Sequence, residues 1–244
     1  MSVNPPDISI PLLLLAPADW PAAMRGEYLG AALILDLHPQ GHTAVSPDTV
    51  KTLLAFLQQV EKTPNGHPVL VRIGGFGGGF AERDVTVLKN GRPQAILLSA
   101  CRNVADIQKL DVVLTVFEAE GNLPIGSTAI LAECGAEAEF FLSPHSLAGK
   151  SARLRGLVLN AQALSEITGS EPDAYAQPAP LSFARAVCVL KAAEARVPCY
   201  EMLPPEIGPV EMLNAQAESK ANGFDNIVVS PAHLAARLKG TTEV

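Results

Sequence analysis

Eight short, nearly unbroken apolar runs recur along the chain, each closing on polar or small residues. They begin at Leu12 (LLLLA), Ala32 (ALILDL), Pro68 (PVLVRI), Ala95 (AILL), Ser127 (STAILAE), Gly156 (GLVLN), Pro198 (PCYEM) and Asn226 (NIVVS). Their starts lie about 20 to 40 residues apart, room for a strand and a crossover helix. A run that is apolar at every position, rather than at alternate ones, is what a strand buried on both faces requires. Eight such units predict an α/β fold, a (β/α)8 TIM barrel of parallel strands. An open doubly wound sheet is the competing arrangement.

The intervening segments carry helix signals. Ser46 and Pro47 suit a cap and first position for a helix running through Val60, with Val50, Leu53, Leu54 and Leu57 on one face. Ser182 is read as the cap of another, with Phe183, Val187, Leu190 and Ala193 turned inward. Pro209 opens a third, which Asn222-Gly223 ends. Residues 110–117 (LDVVLTVF) look like a strand in isolation, but a ninth strand breaks the alternation, so they are assigned to a helix. Residues 74–79 (GGFGGG) read as a flexible loop after strand three. Nothing marks a second domain, so residues 1–244 are read as a single barrel domain.

Composition removes several classes of function. A net charge of -7 argues against a nucleic-acid partner, which needs a basic footprint. The longest apolar run, residues 10–18, is about half of what spans a bilayer, and no basic segment precedes it as in a secretory leader. No membrane partner is expected. Cys101, Cys134, Cys188 and Cys199 show no CxxC spacing and read as reduced thiols packed as small core residues in a cytoplasmic chain. Neither HExxH nor GxSxG occurs, and the histidines, His38 and His42 among them, are scattered in loops.

In a barrel of this kind the chemistry sits at the carboxyl ends of the strands. The polar residues there are Asp36, Arg72, Ser99, Glu133, Asn160, Glu201 and Ser230. Arg72 and Glu133 stand out because each closes an apolar run. Arg72 offers a planar fork that fits a carboxylate or phosphate. Glu133 offers hard oxygens to a divalent cation. Gly74 and Gly75 would let a ligand approach the backbone. The plain alternative is that Asp36, Arg72 and Glu133 simply pair with one another across the barrel mouth.

Taken as a collinear set, the segments LLLLAPADWPAAM, AALILDLH, PVLVRIGG, QAILLSACRNVADI, AILAECGAEAEF, RLRGLVLNAQALSEITG, FARAVCVLKAAEARVP and ANGFDNIVVSPAHL resemble the citrate lyase β-subunit and malyl-CoA lyase branch of the HpcH/HpaI aldolase superfamily. The resemblance implies a TIM barrel that forms homo-trimers or hexamers. It also implies a carbon–carbon lyase acting between a small keto acid and an acyl-CoA, with Mg2+ as cofactor. It makes Arg72 and Asp36 catalytic, Arg72 with Gly74 and Gly75 substrate-binding, and Glu133 the metal ligand. Other family positions differ: Trp20 follows Asp19, His38 and Pro39 replace an acidic pair, Ser99 a lysine, Ala163 the second metal carboxylate and Ser230 a histidine. The resemblance therefore implies weak or lost Mg2+. The alternative to a lyase is a catalytically degenerate barrel serving as a ligand-binding or scaffold protein; a third option is an unrelated barrel enzyme using Asp36, Arg72 and Glu133 differently.

Overall fold

Each of the eight apolar runs forms a strand, and the strands close on themselves in sequence order. The computed structural model describes residues 12–28, 31–39, 41, 44–61, 68–89, 91–170, 178–204 and 209–231; His42, His67 and His233 lie outside them. The strands are β1 (Leu12–Leu15), β2 (Ala32–Asp36), β3 (Val69–Ile73), β4 (Ala95–Leu98), β5 (Ala129–Cys134), β6 (Leu154–Asn160), β7 (Cys199–Met202) and β8 (Asn226–Val229). All neighbours pair in parallel, and β1 pairs with both β2 and β8, so the sheet is a closed barrel. The helices are α1 (Trp20–Met24), α2 (Pro47–Glu61), α3 (Phe80–Val87), α4 (Val104–Glu120), α5 (Glu139–Leu142), α6 (Ala161–Thr168), α7 (Ala179–Ala195) and α8 (Pro209–Ala221). This is a (β/α)8 TIM barrel. No helix among the described residues is long and apolar enough to cross a membrane.

Strand parity divides the apolar side chains into two cores. Leu12, Ile34, Leu70, Leu97, Leu131, Val158, Tyr200 and Val228 meet inside the barrel. Residues of opposite parity, such as Leu13, Leu35, Val71 and Leu98, pack outward beneath the helices. Burial on both faces is why the runs do not alternate.

Most of the helix assignments hold. The Ser46 hydroxyl accepts from the Thr49 N–H at 3.1 Å, capping α2 as its sequence implies. Leu53 and Leu57 are buried with Phe56, while Val50 and Leu54 are half-buried. Residues 110–117 are helical: Leu110, Leu114 and Phe117 are buried, and the exposed Val112 and Val116 give the run its strand-like look. Gly223, at φ +96°, follows the end of α8.

Two readings need correction. In α7, which starts at Ala179, Ser182 is internal and Phe183, Leu190 and Ala193 face outward. The buried stripe is Ala184, Cys188 and Ala192, because small side chains let the helix lie close to the sheet. Residues 74–79 form no open loop: a short turn of helix over Gly77–Gly79 leads directly into α3. Gly75 is required there, since a Cβ would lie 3.0 Å from the Ser99 carbonyl oxygen and 3.2 Å from the Ala100 Cβ.

An ionic cluster staples the amino-terminal end of the barrel. Arg153, just before β6, donates from Nη1 and Nη2 to the two Glu118 oxygens, both at 2.7 Å, and from Nε to Asp111 at 2.6 Å. Glu118 is fully buried and also accepts the N–H groups of Gly126 and Thr128. Burial alone pushes the Glu118 carboxyl up, but these hydrogen bonds and the Arg153 charge outweigh it and hold the carboxyl below its usual range. The stabilisation is therefore present above the unfolded carboxyl's value of about 4.3 and is lost as pH falls through the lower folded value. Breaking a buried pair costs about 3–5 kcal/mol, or roughly 6–20 °C in Tm for a chain of this size. We expect Glu118→Gln to unfold earlier than wild type at neutral pH and to lose less stability on acidification below about pH 4, as read by thermal melts across pH.

Candidate active site at the barrel mouth

Parity brings Asp36, Arg72, Ser99, Glu133 and Asn160 to the carboxyl ends of successive strands, each in step with the inward-facing apolar residues below. Asp36 and Arg72 are register partners on β2 and β3. Arg72 donates from Nη1 to both Asp36 oxygens at 3.1 Å. Its Nε and Nη2 form a fork on Glu133, at 2.6 and 2.8 Å. Glu133 lies two strands away; the intervening residue, Ser99, is small enough to leave the guanidinium a path.

Both flanks of this triad are held. The Asn160 amide donates to Glu133 Oε1 at 2.9 Å, while its oxygen accepts from the Ala163 N–H at 3.0 Å and caps α6. The His38 N–H donates to Asp36 at 2.9 Å, and the buried His38 ring lies 2.7 Å from Asp84 on α3. Asp84 also accepts the Gly74 N–H at 2.8 Å. His38 is thus a buried, fixed residue rather than the surface loop group its Pro/Gly-rich surroundings imply. Gly135, at φ +135°, supports the same arrangement: a Cβ there would lie 2.2 Å from the Asn160 carbonyl oxygen. Sequence inspection passes over Gly135 and Asp84, because what makes them necessary is a cross-strand approach.

Asp36 and Glu133 are buried, and Arg72 keeps 14% of its side chain exposed. Burial works against the Arg72 charge, but Glu133 and Asp36 more than compensate and raise its pKa further, so the guanidinium remains charged. Above it opens a cavity of about 370 Å³. Asp36, Arg72, His38, Asn160, Gln162 and Glu166 line its polar side, and Leu14, Ala163, Met202 and Val228 much of the rest; Ser230 also borders it. Gly74 and Gly75 are not among its lining residues.

Glu201 does not reach the mouth. Its neighbours Tyr200 and Met202 pack with the interior core, so parity turns Glu201 outward, where Arg185 of α7 donates to it at 2.7 Å. All four cysteines are buried. Burial pushes the Cys101 and Cys134 thiols up, which disfavours a nucleophilic role.

The donor set was compared with what a magnesium ion needs. Among the described residues, no three His, Cys, Asp or Glu side chains are placed to hold a metal ion. Both oxygens of Glu133 face the Arg72 fork, Asp36 is taken by the same guanidinium, and Ala163 brings no carboxylate. As arranged, these groups fit a guanidinium and do not fit Mg2+, which requires carboxylate oxygens free of a competing cation.

The geometry therefore defines a class: a TIM barrel with an arginine-centred, carboxylate-rich mouth. No family model and no curated protein matches the chain. Solved structures share its architecture. RipC from Yersinia pestis aligns with a TM-score of 0.71 at 17% identity, covering 96% of this chain and 95% of that one. The citrate lyase β subunit from M. tuberculosis, complexed with oxaloacetate and magnesium, aligns at 0.71 and 16% identity, covering 98% and 96%. The Haloferax volcanii malate synthase magnesium/glyoxylate complex aligns at 0.78 and 14% identity, covering 98% and 77%. At these identities the likeness establishes a common fold.

Arg72→Ala would leave two carboxylates facing each other in a buried site, so we expect a loss of about 3–5 kcal/mol in urea unfolding. The triple variant Asp36→Asn/Arg72→Met/Glu133→Gln removes all three charges and should recover most of that loss.

Proposed function

We propose that this chain is a divergent member of the citrate lyase β-subunit and malyl-CoA lyase branch, and that its mouth takes a small keto acid or an acyl-CoA for carbon–carbon cleavage or condensation. The observation carrying this reading is Arg72: a permanently charged fork at the base of the mouth cavity, already engaged by carboxylates. A ligand carboxylate would take the place of one of them. With Arg72 beside it, negative charge developing on a keto oxygen would be stabilised without solvent reorganisation. Solved structures of the same fold with oxaloacetate or glyoxylate support this choice of ligand class. We assign Arg72 and Asp36 catalytic roles, Arg72 also to substrate binding, and Glu133 to any residual metal affinity; the expected part of Gly74 and Gly75 in binding is not supported, since neither lines the cavity and the Gly74 N–H is held by Asp84.

A second reading, a barrel that binds without turnover, is favoured by the saturation of Glu133 and by Ala163. Calorimetric titration with oxaloacetate, with and without Mg2+, distinguishes the two alongside an assay for CoA thiol released from acetyl-CoA. Arg72→Lys keeps the charge but not the fork, and should weaken oxaloacetate binding about ten- to a hundredfold. Glu133→Gln removes a competing anion and should tighten metal-free binding. If Arg72→Lys leaves affinity unchanged, the ligand does not bind at the mouth. If Mg2+ tightens wild-type binding and Glu133→Gln abolishes that effect, Glu133 is a metal ligand after all. Binding without oxaloacetate consumption or thiol release selects the second reading.

A further inference from the structure

The outer face of α7 is apolar, uncharged and matched to itself. Phe183, Ala186, Leu190 and Ala193 are all exposed, Phe183 at 54% and Leu190 at 68%. Their spacing is three, four and three residues, the seam spacing of paired helices. The cations of α7 are drawn off this face. Arg185 bonds to Glu201 and Glu218, and Lys191 donates to the Ser143 and His145 carbonyls. The helices packed against α7 also carry exposed apolar residues, Leu142 of α5 at 74% and Ile167 of α6 at 48%.

We propose that this face is a two-fold contact between copies of this chain, α7 packing antiparallel on the partner's α7. The sequence itself selects that occupant. A two-fold axis beside Cys188 sets Phe183 against the partner's Ala193 and Leu190 against the partner's Ala186, so each large side chain meets a small one. An isologous contact requires this self-complementarity. A 17-residue helix is about 25 Å long; with its flanking apolar residues the footprint is on the order of 600 Å² per copy, which reaches the size of a small specific interface.

Light scattering on the full chain at micromolar concentration should give an even-numbered assembly. Phe183→Glu/Leu190→Glu should at least halve its mass while leaving the circular dichroism spectrum unchanged, both residues being exposed. Ala186→Cys/Leu190→Cys should cross-link between copies under mild oxidation, the native cysteines being buried. A wild-type monomer or trimer, an assembly that survives the double glutamate variant, or an absence of cross-links would overturn the proposal.

Discussion

The mouth of this barrel is organised by one guanidinium held between two carboxylates. Three buried charges are costly to desolvate, and they are tolerated only because each finds its partner with good geometry. Arg72 meets Asp36 through register and Glu133 across a serine, and the arrangement continues on both sides. From Asp84 on α3 it runs through His38, Asp36, Arg72, Glu133 and Asn160 to the first turn of α6. A slip of one residue in β3 would turn Arg72 out among the helices and leave two carboxylates unpaired. The apolar layers beneath, from Ile34 and Leu70 to Leu131 and Val158, hold the register that prevents it.

The two ends of the barrel use ion pairs differently. At the amino-terminal end, Arg153 and Glu118 are enclosed and hydrogen-bonded at every charged atom; the pair contributes stability. At the carboxyl end, a similar guanidinium–carboxylate fork lines an open cavity. There Asp36 and Glu133 already take up the donors of the Arg72 guanidinium. Asp36, Glu133 and the rim residue Glu166 outnumber Arg72 in charge, so under the proposed reading an incoming anion would compete with groups already present.

The strands were legible because burial on both faces writes Val, Ile and Leu at consecutive positions, and Asp36, Arg72 and Glu133 were legible because each ends such a run. Pairing among the three is the plain alternative that these residue types offer to ligand binding, and in the structure they do pair. Glu201 shows what was harder to read: it closes PCYEM much as Arg72 closes PVLVRI, but one residue of parity sends it outward to Arg185. His38 reads as a loop residue because its buried partner, 46 positions away in α3, leaves no local signal. Glu118 and Arg153 give no sequence signal, since an acid at a helix end reads as solvated until the neighbouring strands enclose it.

The face of α7 follows from the same geometry. Close packing against the sheet fully buries only Ala184, Cys188 and Ala192 of that helix; Leu181, Val187 and Val189 pack beside them half-buried, and Phe183 and Leu190 point away from the barrel. A reading that sends every large apolar residue inward fails here for a physical reason: a helix in the outer ring has two surfaces, and the size of the side chain decides which one it fits. Phe183 and Leu190 are too large for the inner surface and too apolar for water. Their alternation with Ala186 and Ala193 answers both constraints at once when a second copy of the same helix supplies the opposing surface.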